Sequence, residues 1–132
     1  MQINVTTDYA IRAVLYLAIR NSITTSNEIS VAMGIPKSYI LKITNKLQEA
    51  GIVERIVGAR GGFSISKSPE QISLYEIIKI MEPTIKINRC LEEDEHCSRF
   101  ATENCPVRKF YSNLQNEIVD KLKEMTVNRL LD

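Results

Sequence analysis

A mainly α-helical fold carrying one small β-hairpin and ending in a long helix is predicted by three observations. Apolar residues recur at helical spacing through residues 8–50, in segments separated by capping and glycine signals. The period then switches to two on either side of Gly58-Ala59-Arg60-Gly61-Gly62, and a narrow apolar seam runs from Val107 to Met125. The chain has 132 residues, a length that fits one compact domain with an appended helical element. A chain of this size buries roughly two thirds of the surface it exposes when unfolded, so it needs no disulfide framework.

Ile11, Val14, Leu15 and Ala18 fall at i, i+3, i+4 and i+7, and Ala10 and Leu17 widen that stripe. This predicts a helix over residues 8–20, with Thr6, Thr7 and Asp8 as hydrogen-bond acceptors for its free N–H groups. Thr25-x-x-Glu28 has capping-box spacing and opens a second, short helix that stops near Met33, where Gly34 supplies a turn. Pro36 suits the first turn of a third helix. That helix is two-faced: Ile40, Ile43, Leu47 and Ala50 point one way, while Ser38, Lys42 and Asn45 point the other, and Gly51 terminates it.

Residues 52–57 and 63–66 alternate as two strands around the glycine-rich loop, and Ser73-x-x-Glu76 then opens a short helix with Leu74, Ile77, Ile78 and Met81 on its apolar side. Pro83 closes it. Between Thr84 and Asn104 periodicity fades, which predicts a long loop, and such loops in compact domains are usually functional. The seam beyond it, Val107, Tyr111, Leu114, Ile118, Leu122 and Met125, predicts a long helix whose apolar edge meets a partner helix. Leu130 and Leu131 form a short terminal patch that can also dock on a neighbour.

Two helices joined by a tight glycine turn and followed by a hairpin are the parts of a winged helix-turn-helix, whose second helix enters the major groove. Lys37, Lys42 and Lys46 are then cations near phosphates. Ser38 and Asn45 can contact base edges or backbone, and Tyr39 lies on the same helix. Arg60, followed by Gly61 at the hairpin tip, can reach into a groove.

The net charge of +1 conceals a division. Residues 1–89 carry 11 basic and 7 acidic side chains, whereas residues 90–132 carry 6 and 9; within residues 36–67 the count is 6 to 2. The positive excess falls on the reading helix and wing, as double-stranded DNA requires. Ala13–Ile19, bracketed by Arg12 and Arg20, is far shorter than the ~20 residues that span a bilayer. No membrane association is expected. The odd cysteine count and the lack of a basic segment before the first apolar run fit a reduced, cytoplasmic compartment.

Cys90, Cys97 and Cys105 are separated by six and seven residues, wider than the tight cysteine pair typical of structural zinc. Three loosely spaced thiolates suit an iron–sulfur cluster, with a fourth ligand of another kind. His96 adjoins Cys97 and reads as a loop residue, because neighbouring residues rarely ligate one centre. The run Glu92-Glu93-Asp94-Glu95 reads as a solvated loop whose charge would raise the pKa of nearby thiols. A thiol switch built on two of the cysteines is the alternative use. One histidine and no paired constellation leave little for acid–base catalysis, so an enzyme is not expected.

Thr7-Asp8-Tyr9-Ala10-Ile11-Arg12-Ala13, Gly34-Ile35-Pro36-Lys37-Ser38-Tyr39, Gly58-Ala59-Arg60-Gly61-Gly62-Phe63 and the three-cysteine loop before a long helix together resemble the Rrf2 family of bacterial transcription regulators. The resemblance covers essentially the whole chain. It implies a homodimer with winged heads and crossed long helices and, in many members, a cluster on the three cysteines. Thr7-Asp8-Tyr9 is similar to the nitric-oxide-sensing branch, in which the matching aspartate comes from the opposite subunit as fourth ligand to a 4Fe-4S cluster. The competing role for Asp8 is to cap the first helix. The first cysteine gap is longer than is usual in the iron–sulfur-biogenesis branch, and Leu41 stands where that branch carries an acidic residue.

The expected organisation is a winged head over residues 1–83, a sensor loop over 84–106 and a dimerisation helix and tail over 107–132. The expected function is repression through an iron–sulfur cluster, 4Fe-4S in preference to 2Fe-2S, that senses nitric oxide or redox or iron–sulfur status. Rival readings are a cluster-free regulator worked by a thiol switch or protein partner, and a small redox protein.

Overall fold

A computed structural model describes residues 2–132. Helix α1, Val5–Arg20, starts three residues before the sequence predicts, because Asn4 caps it: its side chain accepts a hydrogen bond from the Thr6 N–H at 2.9 Å. Thr7 is fully buried, and its hydroxyl donates to the Glu82 carboxylate at 2.8 Å. Helix α2, Ser26–Met33, begins at Thr25, whose hydroxyl accepts from the Glu28 N–H at 3.1 Å. Gly34 ends it at φ +64°, a left-handed conformation that favours glycine. Helix α3, Lys37–Glu49, follows Pro36 and turns Ile40, Ile43, Thr44 and Leu47 inward.

Strands β1, Val53–Ile56, and β2, Gly62–Ile65, pair antiparallel with Arg55 opposite Phe63. The hairpin is tied to the helices by Thr24, which exchanges two 2.8 Å backbone hydrogen bonds with Phe63. Helix α4, Leu74–Met81, carries the predicted cap, with Ser73 accepting from the Glu76 N–H at 3.1 Å. A 3-10 turn at Pro69–Gln71 precedes it, without a sequence signal of its own kind. One core joins these elements: Ala10, Val14 and Leu17 of α1, Ile29 of α2, Ile43 and Leu47 of α3, Phe63 of the wing and Ile77 of α4. Fully burying each large aliphatic side chain contributes roughly 1.5–3 kcal/mol, so the head is held mainly by this cluster.

Residues 84–104 are not wholly irregular, since 3-10 turns form at Arg89–Leu91 and Thr102–Asn104. Helix α5, Pro106–Glu124, has Cys105 as its N-cap, and α6, Val127–Leu130, ends the chain. The chain then returns to the head: Val127 joins the core, and its N–H donates to the Ile72 carbonyl at 2.8 Å. The α5 seam divides. Ile118 and Leu122 line an apolar groove with Ile78, Ile85 and Ile87 of the same chain, while Val107 of the seam and Phe110 outside it lie exposed. Leu130 and Leu131 are also exposed.

Candidate functional site

Because Ile40, Ile43 and Leu47 are committed to the core, the opposite face of α3 presents Lys37, Ser38, Lys42 and Asn45 to solvent. A groove of about 540 Å³ separates this helix from the wing and is lined by Lys37, Leu41, Arg55 and Gly61. Arg60 stands exposed on the hairpin tip, in a turn closed by a 3.0 Å hydrogen bond from the Gly61 N–H to the Gly58 carbonyl. Gly61 admits no Cβ there, which would run into the Ile56 carbonyl.

Two predicted contacts are less exposed than the rest. Tyr39 is half-buried, its ring set edge-on to Tyr9 at 5.3 Å, and Lys46 is also half-buried. Lys67, part of the positive count over residues 36–67, is held by Glu76 at 2.8 Å. The free cationic face therefore rests on Lys37, Lys42, Arg55 and Arg60. Sequence reasoning passed over Arg55, and over Thr25 and Ser26, which line the same groove at the start of α2. The signal was there: a capping residue marks a helix N-terminus, whose N–H groups favour phosphate.

The second constellation lies at the start of α5. Cys90 belongs to the 3-10 turn Arg89–Leu91, Cys97 to the loop after it, and the Cys105 sulfur accepts from the Arg108 N–H at 3.4 Å. All three thiols are free, and with His96 and Arg108 they line one pocket of about 290 Å³. Among the described residues, no three His, Cys, Asp or Glu side chains converge closely enough to hold a single metal ion. Three soft thiols lining one pocket are a donor set compatible with iron–sulfur ligation.

The acidic run is not simply solvated. Arg89 grips Asp94 through both terminal guanidinium nitrogens, Arg108 reaches Glu95 at 3.3 Å, and Thr84 donates to Glu92 at 2.6 Å. Each of Arg89 and Asp94 stabilises the charged form of the other, raising the first pKa and lowering the second, chiefly through their hydrogen bond. The expected rise in thiol pKa is overturned at Cys97. Backbone N–H groups of Ala101 first and Arg99 next hold its thiol below the ordinary range. With Cys90 and Cys105 changed to serine, Cys97 alkylation by iodoacetamide should therefore level off at a lower pH than that of a free cysteine near 8.5. A profile matching free cysteine would remove those amides from the argument.

Asp8 does not line the cysteine pocket of its own chain. It sits in the first turn of α1, paired with Arg12 at 2.6 Å, and the capping role belongs to Asn4. Arg12 also donates to the Met33 carbonyl at the end of α2 at 3.2 Å. One residue had no sequence signal: Gln115, the buried side chain of α5, accepts from the Ile87 N–H at 2.7 Å and donates to the Ile85 carbonyl at 3.0 Å. It fastens the strand of chain leading to Cys90 onto α5. A glutamine inside a helical stripe reads as an outward-facing position until the chain that crosses it is seen.

An outward cationic face on the second helix of a helix-turn-helix, beside a glycine-tipped wing, defines a winged-helix DNA-binding regulator. The Rrf2 family, described as iron-dependent transcriptional regulators, matches residues 3–132, and the chain belongs to that family. A protein of Aquifex aeolicus (strain VF5) described as an HTH-type transcriptional regulator is 33% identical over 128 residues, 96% of this chain and 89% of that protein. The HTH-type transcriptional regulator NsrR of Bacillus licheniformis is 27% identical over 128 residues, 95% of this chain and 88% of its own. The structure of CymR, the global cysteine regulator of Bacillus subtilis, superposes with a TM-score of 0.80 at 22% identity, covering 98% of this chain and 95% of that one, a likeness of fold alone. These relatives are transcriptional regulators and not enzymes. Among the described residues, no helix is long and apolar enough to cross a membrane.

Proposed function

We propose that the chain is a cytoplasmic, homodimeric repressor whose DNA affinity is set by an iron–sulfur cluster. The observation that carries this reading is the single pocket lined by Cys90, Cys97 and Cys105 at the N-terminus of α5. Residues 1–83 read DNA, 84–106 sense and 107–132 dimerise, with Val127 anchoring the tail to the head. The contacts to DNA are assigned to Lys37, Ser38, Lys42, Asn45, Arg60 and Gly61, with Tyr39 and Lys46 behind them. Val107 and Phe110, exposed on α5, supply apolar surface for a second copy.

The three thiolates would hold the cluster, 4Fe-4S in preference to 2Fe-2S, and Asp8 of the second copy would complete it. When bound, that group supplies iron that nitric oxide or an oxidant can attack. The chain's own residues carry the consequence. Gln115 ties the segment before Cys90 to α5, and Glu82 ties its far end to α1 by accepting from the Asn4 N–H and Thr7 hydroxyl at 2.8 Å. Movement of the loop is thereby passed to both the dimer helix and the head, and changes the spacing of the two α3 helices across half-sites.

Protein purified without oxygen should contain iron and sulfide and absorb visible light, and changing any one of the three cysteines to serine should abolish that absorption. A colourless, iron-free protein that gains none on reconstitution overturns the sensor reading. A second reading, a cluster-free thiol switch, draws on the lowered Cys97 pKa. Full DNA affinity and full redox response with Cys97→Ser would dismiss it.

A further inference from the structure

Arg108 is the more buried of the two arginines that line the cysteine pocket. It lies one turn into α5, lines the cysteine pocket, and has a side chain only 28% exposed, against 59% for Arg89 on the same pocket. Its contacts run to three parts of the sensor loop at once. The backbone N–H donates to the Cys105 sulfur at 3.4 Å, Nε donates to the Cys90 carbonyl at 3.1 Å, and Nη2 reaches the Glu95 carboxylate at 3.3 Å. The first and last cysteines, separated by fourteen residues of loop, are thus referred to one residue on a rigid helix.

We propose that Arg108 is the positioning residue of the cysteine pocket: it fixes the register of Cys90 against Cys105 and supplies the positive charge facing the thiolates and whatever anionic group they hold. The inference rests on the cluster reading above for its second half only. Three cysteines that act as thiolates in one pocket repel one another, and a pocket that gathers them needs a cation that stays charged and held in place. A guanidinium does both, since it does not deprotonate in proteins and its planar fork can hold a carbonyl and a carboxylate together. Arg89 is unsuited to that role, because both its terminal nitrogens are spent on Asp94 in a more exposed pair. Arg108 is not itself a ligand, having no lone pair to offer a metal.

The test uses the full-length protein and the substitutions Arg108→Gln and Arg108→Lys. In the metal-free protein carrying Cys97→Ser, a short bis-electrophile that bridges neighbouring thiols should link Cys90 to Cys105 within one chain. Arg108→Gln should slow that linkage several-fold, with the thermal midpoint little changed. After anaerobic reconstitution, loss of iron to a chelator should be about tenfold faster in Arg108→Gln, the lower end of what removing an outer partner of a metal ligand costs. The reduction potential should move to more negative values, because removing a positive charge disfavours the added electron. Arg108→Lys should restore the potential but not the linkage rate, since an ammonium keeps the charge and loses the fork. Unchanged linkage and unchanged iron retention in Arg108→Gln would overturn the proposal while leaving the cluster reading intact. If the unaltered protein takes up no iron, the cluster reading fails, and the linkage rates still decide whether Arg108 positions the two cysteines.

Discussion

Replacing Lys42 and Arg60 together by alanine is expected to lower operator affinity about a thousandfold without unfolding the protein. Both side chains are exposed, and neither has an ion-pair partner among the described residues, so their removal should leave the core untouched. The proposed dimer presents each of them twice. Four lost contacts at about 1 kcal/mol each give roughly 4 kcal/mol, or about three orders of magnitude. If all four are phosphate contacts, the slope of log affinity against log salt should become shallower by about 3.6 units. A smaller change in slope with the same loss of affinity would place Arg60 in a groove, against base edges, rather than on the backbone. Electrophoretic or fluorescence titrations at several salt concentrations give both quantities. Wild-type affinity in the double variant would remove α3 and the wing from the reading surface.

Much of this face was legible in the sequence because its signals are local. Helix caps at Thr25 and Ser73, the positive-φ glycine at Gly34 and the change of period at Ile52 are each decided by a few neighbouring residues, and the structure keeps all of them. What could not be read depends on the chain meeting itself at long range. Asn4 takes the cap from Asp8, and Glu82, 78 and 75 positions away, accepts from the Asn4 N–H and from the hydroxyl of Thr7 within α1. Lys67 counts as a free cation until Glu76 is seen beside it. The acidic run looks solvated until Arg89 and Arg108 close on it. The same holds for the cysteines. Their spacing is wide, and only folding brings all three to one pocket and leaves Asp8 outside it in the same chain.

The glycine-rich wing shows a further distinction, between a glycine that permits a turn and one that permits a contact. Gly58 is of the first kind, at φ +126° with open space around a would-be Cβ; Gly62 is of the second, because a Cβ there would lie 2.5 Å from the Thr24 carbonyl oxygen and 2.8 Å from its carbon. Both are backbone atoms and cannot rotate away. Gly62→Ala must therefore push Thr24 from Phe63 and strain the two 2.8 Å hydrogen bonds that fasten the wing to the head. Overpacking of this sort costs about 1–3 kcal/mol and each weakened backbone hydrogen bond about 1 kcal/mol, so a loss of roughly 2–4 kcal/mol is expected. For a chain of this size that lowers the thermal midpoint by about 10 °C. Gly58→Ala carries only local strain at the tip, leaves the Thr24 pairing intact, and should cost less. The two variants also part company in hydrogen exchange: the Thr24 and Phe63 amides lose protection in Gly62→Ala and keep it in Gly58→Ala. If Gly62→Ala were as stable and as protected as the unaltered protein, the wing would not be seated on Thr24, and Arg60 could not be held at a fixed distance from α3.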